Sequence, residues 1–364
     1  MRSRTTEQAS RRAPAESRLP LYLAGAYTLL AVYGSLYPFS GWHDSGVPLG
    51  EFLTAAWPRY YTAFDLAANC AAYLPLGFLW VPALRPLLGP ALAVVVATTV
   101  GGGFSLSVET LQNFLPSRVP SNIDLACNAL GTAIGALAGA RWGAALLDGG
   151  RIDALRRRHF MHGRAGDWGL VLIALWLLAQ LNPLTLLFGN GDLRSLLDLP
   201  APLPYTASRF AEIEAATVCA HTVAVGLLAG RLARGGWRAR YAMTLGLVGA
   251  GLMVKALALA VLMQGAQALA WATPGSLIGL AVGVLLLLAV SPAPTFLRQA
   301  LAALALLVAT VLVNLAPDNP YLINTQQFWF AGQFLNFNGA TRLTSSMWPF
   351  LALPWLFLLR PRHE

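Results

Sequence analysis

Apolar runs of about 20 residues recur along the whole chain, and no other feature constrains its fold as strongly. Each run is long enough to cross the roughly 30 Å hydrocarbon core of a bilayer as a helix. Only 11% of the 364 residues are charged, whereas a soluble domain carries about 25%. Most of the chain therefore has no water-facing surface to cover. The pattern predicts an all-α fold, a polytopic transmembrane helical bundle of about ten helices. The second helix is predicted to end at Arg85 and Pro86, the fifth is predicted to end at Phe188, and the tenth is predicted to begin at Ser346.

The positions of the basic residues predict how the bundle is oriented. The net charge is +9, but the arginines gather at alternate ends of the apolar runs rather than on one face. That distribution is the orientation signal of a membrane protein, so we predict no nucleic-acid partner. With both termini cytoplasmic, every strongly basic segment falls inside, including Arg156, Arg157 and Arg158. The sequence predicts a multi-pass protein of the cytoplasmic membrane.

An internal repeat underlies the predicted division of the chain. Aligning Asp65 with Glu214 pairs Cys70 with Cys219, and glycines at four-residue spacing follow in both stretches. The alternative to a tandem duplication is chance similarity between Gly-rich membrane helices. The predicted parts are a disordered basic cytoplasmic tail (1–18), a four-helix unit (19–147), a basic cytoplasmic linker (148–167), a degenerate second four-helix unit (168–295), and two C-terminal transmembrane helices with an outer loop (296–360).

Polar and ionisable residues collect near the predicted outer ends of the helices of the first unit. A charged side chain in a membrane helix costs about 2.5–3.5 kcal/mol, so such groups usually pair with one another or line a wet cavity. The aligned positions in the second unit are mostly apolar, which predicts a scaffold there. The predicted ligand-binding residues are Asp65, Asn69, Ser105, Glu109, Gln112, Arg118, Asp124 and Asn128.

These residues also allow a purely structural interpretation. Asp65 and Asp124 stand where carboxylates stabilise the first turn of a helix, so capping and ligand binding are equally good explanations for them. Glu109 lies at a helix C-terminal end, where a negative charge is unfavourable, although pairing with Arg118 would account for it. Lys255, in the second unit, is a further charge whose partner the sequence does not identify. No pattern indicates a catalytic residue, a cofactor or a metal site, and we predict neither cofactor nor metal.

The same residues resemble the signature of the VanZ-like family. The run from Ser105 to Gly131 carries its polar residues in order and at fixed spacing, and the segments 65–69, 73–78 and 33–38 add to the match. The resemblance covers roughly residues 20–147. It implies a bacterial inner-membrane protein of the cell envelope, and a link to glycopeptide antibiotic resistance. It does not by itself assign a reaction.

Three functions are compatible with these features. The leading hypothesis is a binding protein whose outer-face pocket takes a membrane lipid or a lipid-linked envelope precursor, with Arg118 on a phosphate or carboxylate. The alternative is an enzyme acting on such a lipid, with Glu109 or Asp124 as general base. A transporter is the third hypothesis. It should carry polar groups at mid-membrane depth in both halves, and the second half has little beyond Lys255. Enzymatic activity and oligomeric state stay open.

Overall fold

The computed structural model describes residues 17–57, 62–147, 150–197, 199–262, 268–319 and 335–358. Each of the ten predicted helices overlaps a helix of the structure, and six helices in the described part are long and apolar enough to cross a membrane. The predicted all-α fold class is confirmed. The helices are α1 (Leu19–Leu36), α2 (Glu51–Thr54), α3 (Ala63–Gln112), α4 (Asn122–Ala138), α5 (Ala144–Leu147), α6 (Arg151–His159), α7 (Arg164–Ala179), α8 (Leu193–Leu196), α9 (Ala207–Leu232), α10 (Trp237–Leu262), α11 (Pro274–Val290), α12 (Thr295–Leu315) and α13 (Leu335–Leu358). A π-helical turn (Gly139–Gly143) joins α4 to α5.

Helix α3 is a hairpin of two arms that meet at Gly89. This glycine has φ +75°, which reverses the chain between a first arm (63–88) and a second arm (90–112). Two contacts show that the arms run side by side. The rings of Tyr73 and Phe104 lie 6.0 Å apart, and a Cβ on either Gly77 or Gly101 would meet Thr132 of α4. The two arms correspond to the second and third predicted helices. The predicted break at Arg85 lies one turn before the observed one.

Helix α4 packs closely along the first arm of α3. A Cβ on Gly131 would overlap the Cys70 carbonyl, and a Cβ on Gly135 would overlap the Leu74 carbonyl. Small residues at four-residue spacing allow two membrane helices to come this close, since lipid supplies no hydrophobic force to hold them together. The contact brings the N-terminal end of α4 beside the start of the first arm. It therefore sets the distance between the polar residues of both helices.

Helix α7 ends at Ala179, nine residues before the predicted end at Phe188. The inner segment, residues 180–191, continues without helical structure and is largely buried. Pro183 favours the change, because proline lacks an N–H and disfavours helix at the residue before it. Non-helical backbone is tolerated inside a membrane protein only where other groups form hydrogen bonds with its N–H and C=O groups. In this structure those groups include Lys255 of α10 and His221 of α9.

The predicted basic linker is structured where it is described. Helix α6 carries a buried Asp153, which accepts hydrogen bonds from Arg156 and Arg157. Arg156 also reaches Asp167 of α7, and Asp167 accepts the N–H of Arg18 at the start of α1. These contacts join the ends of α1, α6 and α7, which we call the basic end of the bundle. The predicted disordered tail lies outside the described residues except for its last two positions.

The opposite end of the bundle is where α1 finishes. Arg342 of α13 donates to the Tyr37 hydroxyl at 3.1 Å, so the last helix contacts the end of the first. We call this the site end. Helix α13 begins eleven residues before the predicted start at Ser346. Its early part carries polar residues such as Asn338 and Thr341, which conceal it in a hydropathy profile. Much of the predicted outer loop, residues 320–334, lies outside the described residues.

Candidate functional site

Glu109 is buried near the end of the second arm, with 3% of its surface exposed. Its Oε2 accepts the backbone N–H of Ser121 at 3.0 Å, and Ser121 is the N-cap of α4. In an ordinary capping box the carboxylate three residues after the cap, here Asp124, would take that N–H. Glu109 replaces it. A carboxylate from a different helix therefore satisfies the N-terminus of α4.

Asp124 is consequently available for another contact. Its Oδ1 accepts a hydrogen bond from Asn69 Nδ2 of the first arm at 2.6 Å. One turn further along α4, Asn128 Nδ2 donates to Ser105 Oγ of the second arm at 3.0 Å. The start of α4 is therefore tied to both arms of α3. Four of the predicted site residues form these two pairs.

Three buried atoms of this region have no hydrogen bond within 3.5 Å among the described residues, and one of them is the Asn122 amide oxygen at the start of α4. The other two are the Tyr73 hydroxyl and the Asn128 amide oxygen, whose residues are 5% and 4% exposed. The Tyr73 hydroxyl lies at the edge of hydrogen-bonding range of the Ser105 and Ser35 hydroxyls and near the Glu109 carboxylate. Because an unpaired buried polar group costs about 1–3 kcal/mol, such atoms require an explanation. The Tyr73 and Asn128 atoms belong to the layer just below Glu109.

Gln112 and Arg118 are directed toward α1. Gln112 Nε2 donates to the Ser35 carbonyl at 2.9 Å. Arg118 donates from Nε and Nη2 to the Tyr37 carbonyl, at 3.2 and 2.7 Å, and from Nη2 to the Gly34 carbonyl at 3.3 Å. The last carbonyls of a helix lack partners within it and carry its negative dipole end. Arg118 and Gln112 thus anchor the C-terminus of α1 to the site.

The alternative interpretation, a pairing of Glu109 with Arg118, does not describe the contacts, since no salt bridge joins them among the ion pairs of the described chain. The two groups still influence each other. Burial lowers the pKa of the Arg118 guanidinium, and the Glu109 carboxylate opposes that shift. Arginine nevertheless stays charged at any ordinary pH. Within the described residues, none of the hydrogen bonds of Arg118 uses Nη1, which leaves its two N–H groups for another acceptor.

Asp65 has a local structural role. Its carboxylate accepts hydrogen bonds from the Thr62 N–H and hydroxyl, and the Thr62 hydroxyl accepts the Asp65 N–H in return. This is a complete capping box at the start of α3. Of the two interpretations of Asp65, capping describes its contacts. Its negative charge acts on Asp124 only through space.

Several residues of the site were absent from the predicted set. Ser121 contributes a backbone N–H, Tyr73 an unpaired hydroxyl and Tyr37 a carbonyl. Tyr73 had a detectable signal, because a hydroxyl on an otherwise apolar helix usually finds a polar neighbour when buried. The contact of Arg342 with Tyr37 had none, since more than 300 residues separate the two.

The second half of the bundle also contains buried polar groups, although the sequence predicted few there. Lys255 is 1% exposed, and its Nζ donates to the carbonyls of Asn182 at 2.6 Å and Thr185 at 2.7 Å. His221 Nε2 lies 3.1 Å from the N–H of Asn190, as expected of a buried histidine with satisfied nitrogens. Glu214 does not pair with Lys255 and accepts the Thr273 hydroxyl instead. These contacts fasten the inner segment and the α9–α11 pair.

The arrangement at the site end favours recognition of a ligand by hydrogen bonds and charge. It offers a cationic donor at Arg118, an unpaired hydroxyl at Tyr73, an unpaired amide oxygen at Asn128 and a carboxylate at Glu109. Among the described residues, no three His, Cys, Asp or Glu side chains converge as metal ligands would. In the same part of the chain, no hydrogen bond of a histidine side chain reaches the cluster.

Comparison with known proteins identifies the first unit. Residues 12–142 match the model of the family described as VanZ/LLP1. No curated protein and no solved structure is similar enough to the chain to count as a match. The matched region contains α1, both arms of α3, all of α4, and every predicted residue of the candidate site. The sequence resemblance is therefore confirmed over residues 12–142, the part of the chain that is similar to the VanZ/LLP1 family.

Proposed function

We propose that the first unit binds the anionic head of a lipid or lipid-linked envelope molecule at the site end of the bundle. The observation that carries the proposal is a pair of buried atoms, Asn128 Oδ1 and Tyr73 Oη. The first has no hydrogen-bond partner among the described residues, and the second has only the Ser105 and Ser35 hydroxyls at the edge of hydrogen-bonding range. A ligand that supplies one acceptor and one donor would satisfy both atoms. Arg118 Nη1 would then contact its phosphate or carboxylate.

The surroundings of the cluster support a ligand that reaches it from the membrane. Leu74, Leu106 and Leu130 lie on the helices that carry the polar residues, and all three are exposed in the isolated chain. In a bilayer such side chains face hydrocarbon. A lipid tail could lie against them while the head enters the polar cluster. A cell-wall precursor with a lipid tail and an anionic head would also account for the link to glycopeptide resistance that the resemblance implies.

The test is to purify the protein in a mild detergent and measure bound lipids by mass spectrometry. In Glu109→Gln the amide keeps the shape but is a weaker acceptor for a hydroxyl or amide donor of the head group, so we expect about tenfold less of the bound lipid. Glu214→Gln is the matched control, because it changes a buried carboxylate that also accepts a hydrogen bond from a helix cap. Equal lipid contents in the two variants and the wild type would contradict the proposal.

The enzyme alternative predicts a different outcome in the same experiment. If Glu109 acts as a general base on the lipid, Glu109→Gln should retain or accumulate the unmodified lipid, whereas the wild type carries a modified form. The binding proposal requires the same lipid species in both proteins, at different amounts. The chemical identity of the co-purified lipid therefore separates the two functions.

We also infer that the basic end faces the cytoplasm, which puts the candidate site outside. The arginine-rich helix ends support this orientation. Single cysteines at Gly46 and Gly236, in a variant with Cys70, Cys127 and Cys219 changed to Ser, provide the test. A Cβ at either position would meet no atom within 4 Å, and the strain of a cysteine at the positive φ of Gly46 would fall on an exposed loop. An impermeant maleimide should label position 46 in intact cells and position 236 only after lysis, and the reverse pattern would contradict the orientation.

A further inference from the structure

A second polar site lies at the basic end of the bundle, far from the VanZ-like cluster. It is a cleft between the end of α9, the start of α12 and the end of α13. Two arginines and one glutamine meet three apolar side chains there, with no acidic residue among the described residues of the lining. The lining residues are Leu227, Arg231, Arg298, Gln299, Ala302 and Leu356.

The polar side of the cleft is held in place by its own contacts. Arg298 donates to the Ser291 carbonyl at 3.1 Å and to the Thr295 hydroxyl at 2.9 Å, which fixes the plane of its guanidinium. Gln299 Nε2 donates to the Leu356 carbonyl at 3.4 Å and joins α12 to α13. A guanidinium fixed in this way loses little conformational entropy when it binds a planar or tetrahedral anion.

The rim of the cleft is apolar and faces outward. Phe296 and Leu297, next to Arg298, are exposed to 64% and 39%, and Phe357 and Leu358, next to Leu356, are exposed to 75% and 82%. In the membrane these side chains contact lipid. A cationic cleft bordered by lipid-facing side chains at the end of membrane helices has the form of a lipid head-group site.

We propose that this cleft binds the phosphate of an anionic phospholipid from the leaflet at the basic end. Arg231 and Arg298 provide the positive charge for the phosphate. The acyl chains lie over Leu227, Ala302 and Leu356 and the exposed residues of the rim. The site is separate from the one proposed for the envelope molecule, since it lies on other helices at the opposite end of the bundle.

The experiment uses the full-length protein in mild detergent and native mass spectrometry. It is titrated with phosphatidylglycerol, with zwitterionic phosphatidylethanolamine and with inorganic phosphate. Arg231→Gln and Arg298→Gln should each weaken phosphatidylglycerol binding about tenfold, the effect of one charge-assisted hydrogen bond. The control is Arg238→Gln, which removes an exposed arginine at the same end. It should bind like the wild type.

Three outcomes would overturn the proposal. One is equal phosphatidylglycerol binding by the cleft variants and Arg238→Gln, and another is equal binding of the two phospholipids by the wild type. The third is displacement of the lipid by inorganic phosphate at the same concentration, because it would show that the acyl chains contribute nothing. Arg298→Lys covers a folding defect in Arg298→Gln: it keeps the charge without the planar fork, and its binding should lie between those of the wild type and Arg298→Gln.

Discussion

Two helix pairs, α4 with the first arm of α3 and α11 with α9, pack in the same way in the two halves of the molecule. Gly131 lies against the Cys70 carbonyl in the first pair, and Gly279 lies against the Ala215 carbonyl in the second. The shared contact supports the predicted duplication, which stays a prediction. The structure makes Ala215 the counterpart of Cys70, whereas the sequence alignment paired Cys70 with Cys219. The two alignments of α9 therefore differ by one helical turn.

The two pairs differ at the helix ends that lie toward the site end. In the first, Asn69 binds Asp124, while Glu109 of the second arm takes the N–H of the α4 cap. In the second, Glu214 accepts the hydroxyl of the cap residue Thr273. The glycine contacts fix the distance between helices in both halves, so the polar ends can differ without a change of fold. Only the first half adds a carboxylate from a third helical segment.

The halves differ further in where their cations lie. Lys255 is fully enclosed and holds the inner segment, whereas Arg118 lies in a loop at the site end and holds the C-terminus of α1. Water can replace the hydrogen bonds of a partly exposed group but not those of an enclosed one. Stability should therefore depend more on the lysine, and ligand binding more on the arginine.

The largest effect is expected from substitutions that compare the helix contacts at Gly135 and Gly283. A Cβ at position 135 would overlap the Leu74 carbonyl, whereas one at position 283 would lie 3.0 Å from the Cys219 carbonyl and 2.8 Å from Thr222 Cβ. Gly135→Ala should lower the free energy of unfolding by about 3 kcal/mol and Gly283→Ala by about 1 kcal/mol. Thermal unfolding in detergent measures both. Gly102→Ala, where the added Cβ has open space, is the control. Equal losses at 135 and 283 would show that the two contacts are equivalent.

Lys255→Met should destabilise the protein by about 2 kcal/mol, because the carbonyls of Asn182 and Thr185 then lose their donor in a buried place. Met253→Leu, at an exposed position of the same helix, should change stability little. Unfolding midpoints compare the two. The first unit should still retain its co-purified lipid in Lys255→Met. Loss of that lipid would show that the inner segment and the candidate site are coupled.

Arg118→Lys should cost about 1 kcal/mol in stability, less than Lys255→Met. Lysine keeps the charge but cannot reproduce the three hydrogen bonds of the guanidinium, and water partly replaces them at this end. Bound lipid should fall more than stability does, because Nη1 is also lost. Parallel measurements of unfolding and of lipid content check this. A variant that loses stability but keeps its lipid would remove Arg118 from the proposed site.

Hydropathy was sufficient to place the helices, because each requires only length and apolar composition. Hydropathy failed where residues distant in the sequence determine the backbone conformation. The apolar run around Leu186 and Leu187 predicts a helix, yet Lys255 and His221 satisfy a non-helical segment there. Likewise, the polar residues of the site were predictable from their cost in a membrane, but their partners were not. Nothing local indicates that Glu109 rather than Asp124 takes the Ser121 N–H.

The smallest expected effect compares the two helix caps of the first unit. Thr62→Ala breaks a complete capping box at the start of α3 and should cost about 1 kcal/mol. Ser121→Ala should cost about 0.5 kcal/mol, since its hydroxyl accepts the Asp124 N–H at a long 3.4 Å and Glu109 binds its backbone rather than its side chain. For the same reason Ser121→Ala and Glu109→Gln should be additive in a double-mutant cycle. A coupling above about 0.5 kcal/mol would mean that the Ser121 hydroxyl belongs to the Glu109 site as well as to the cap.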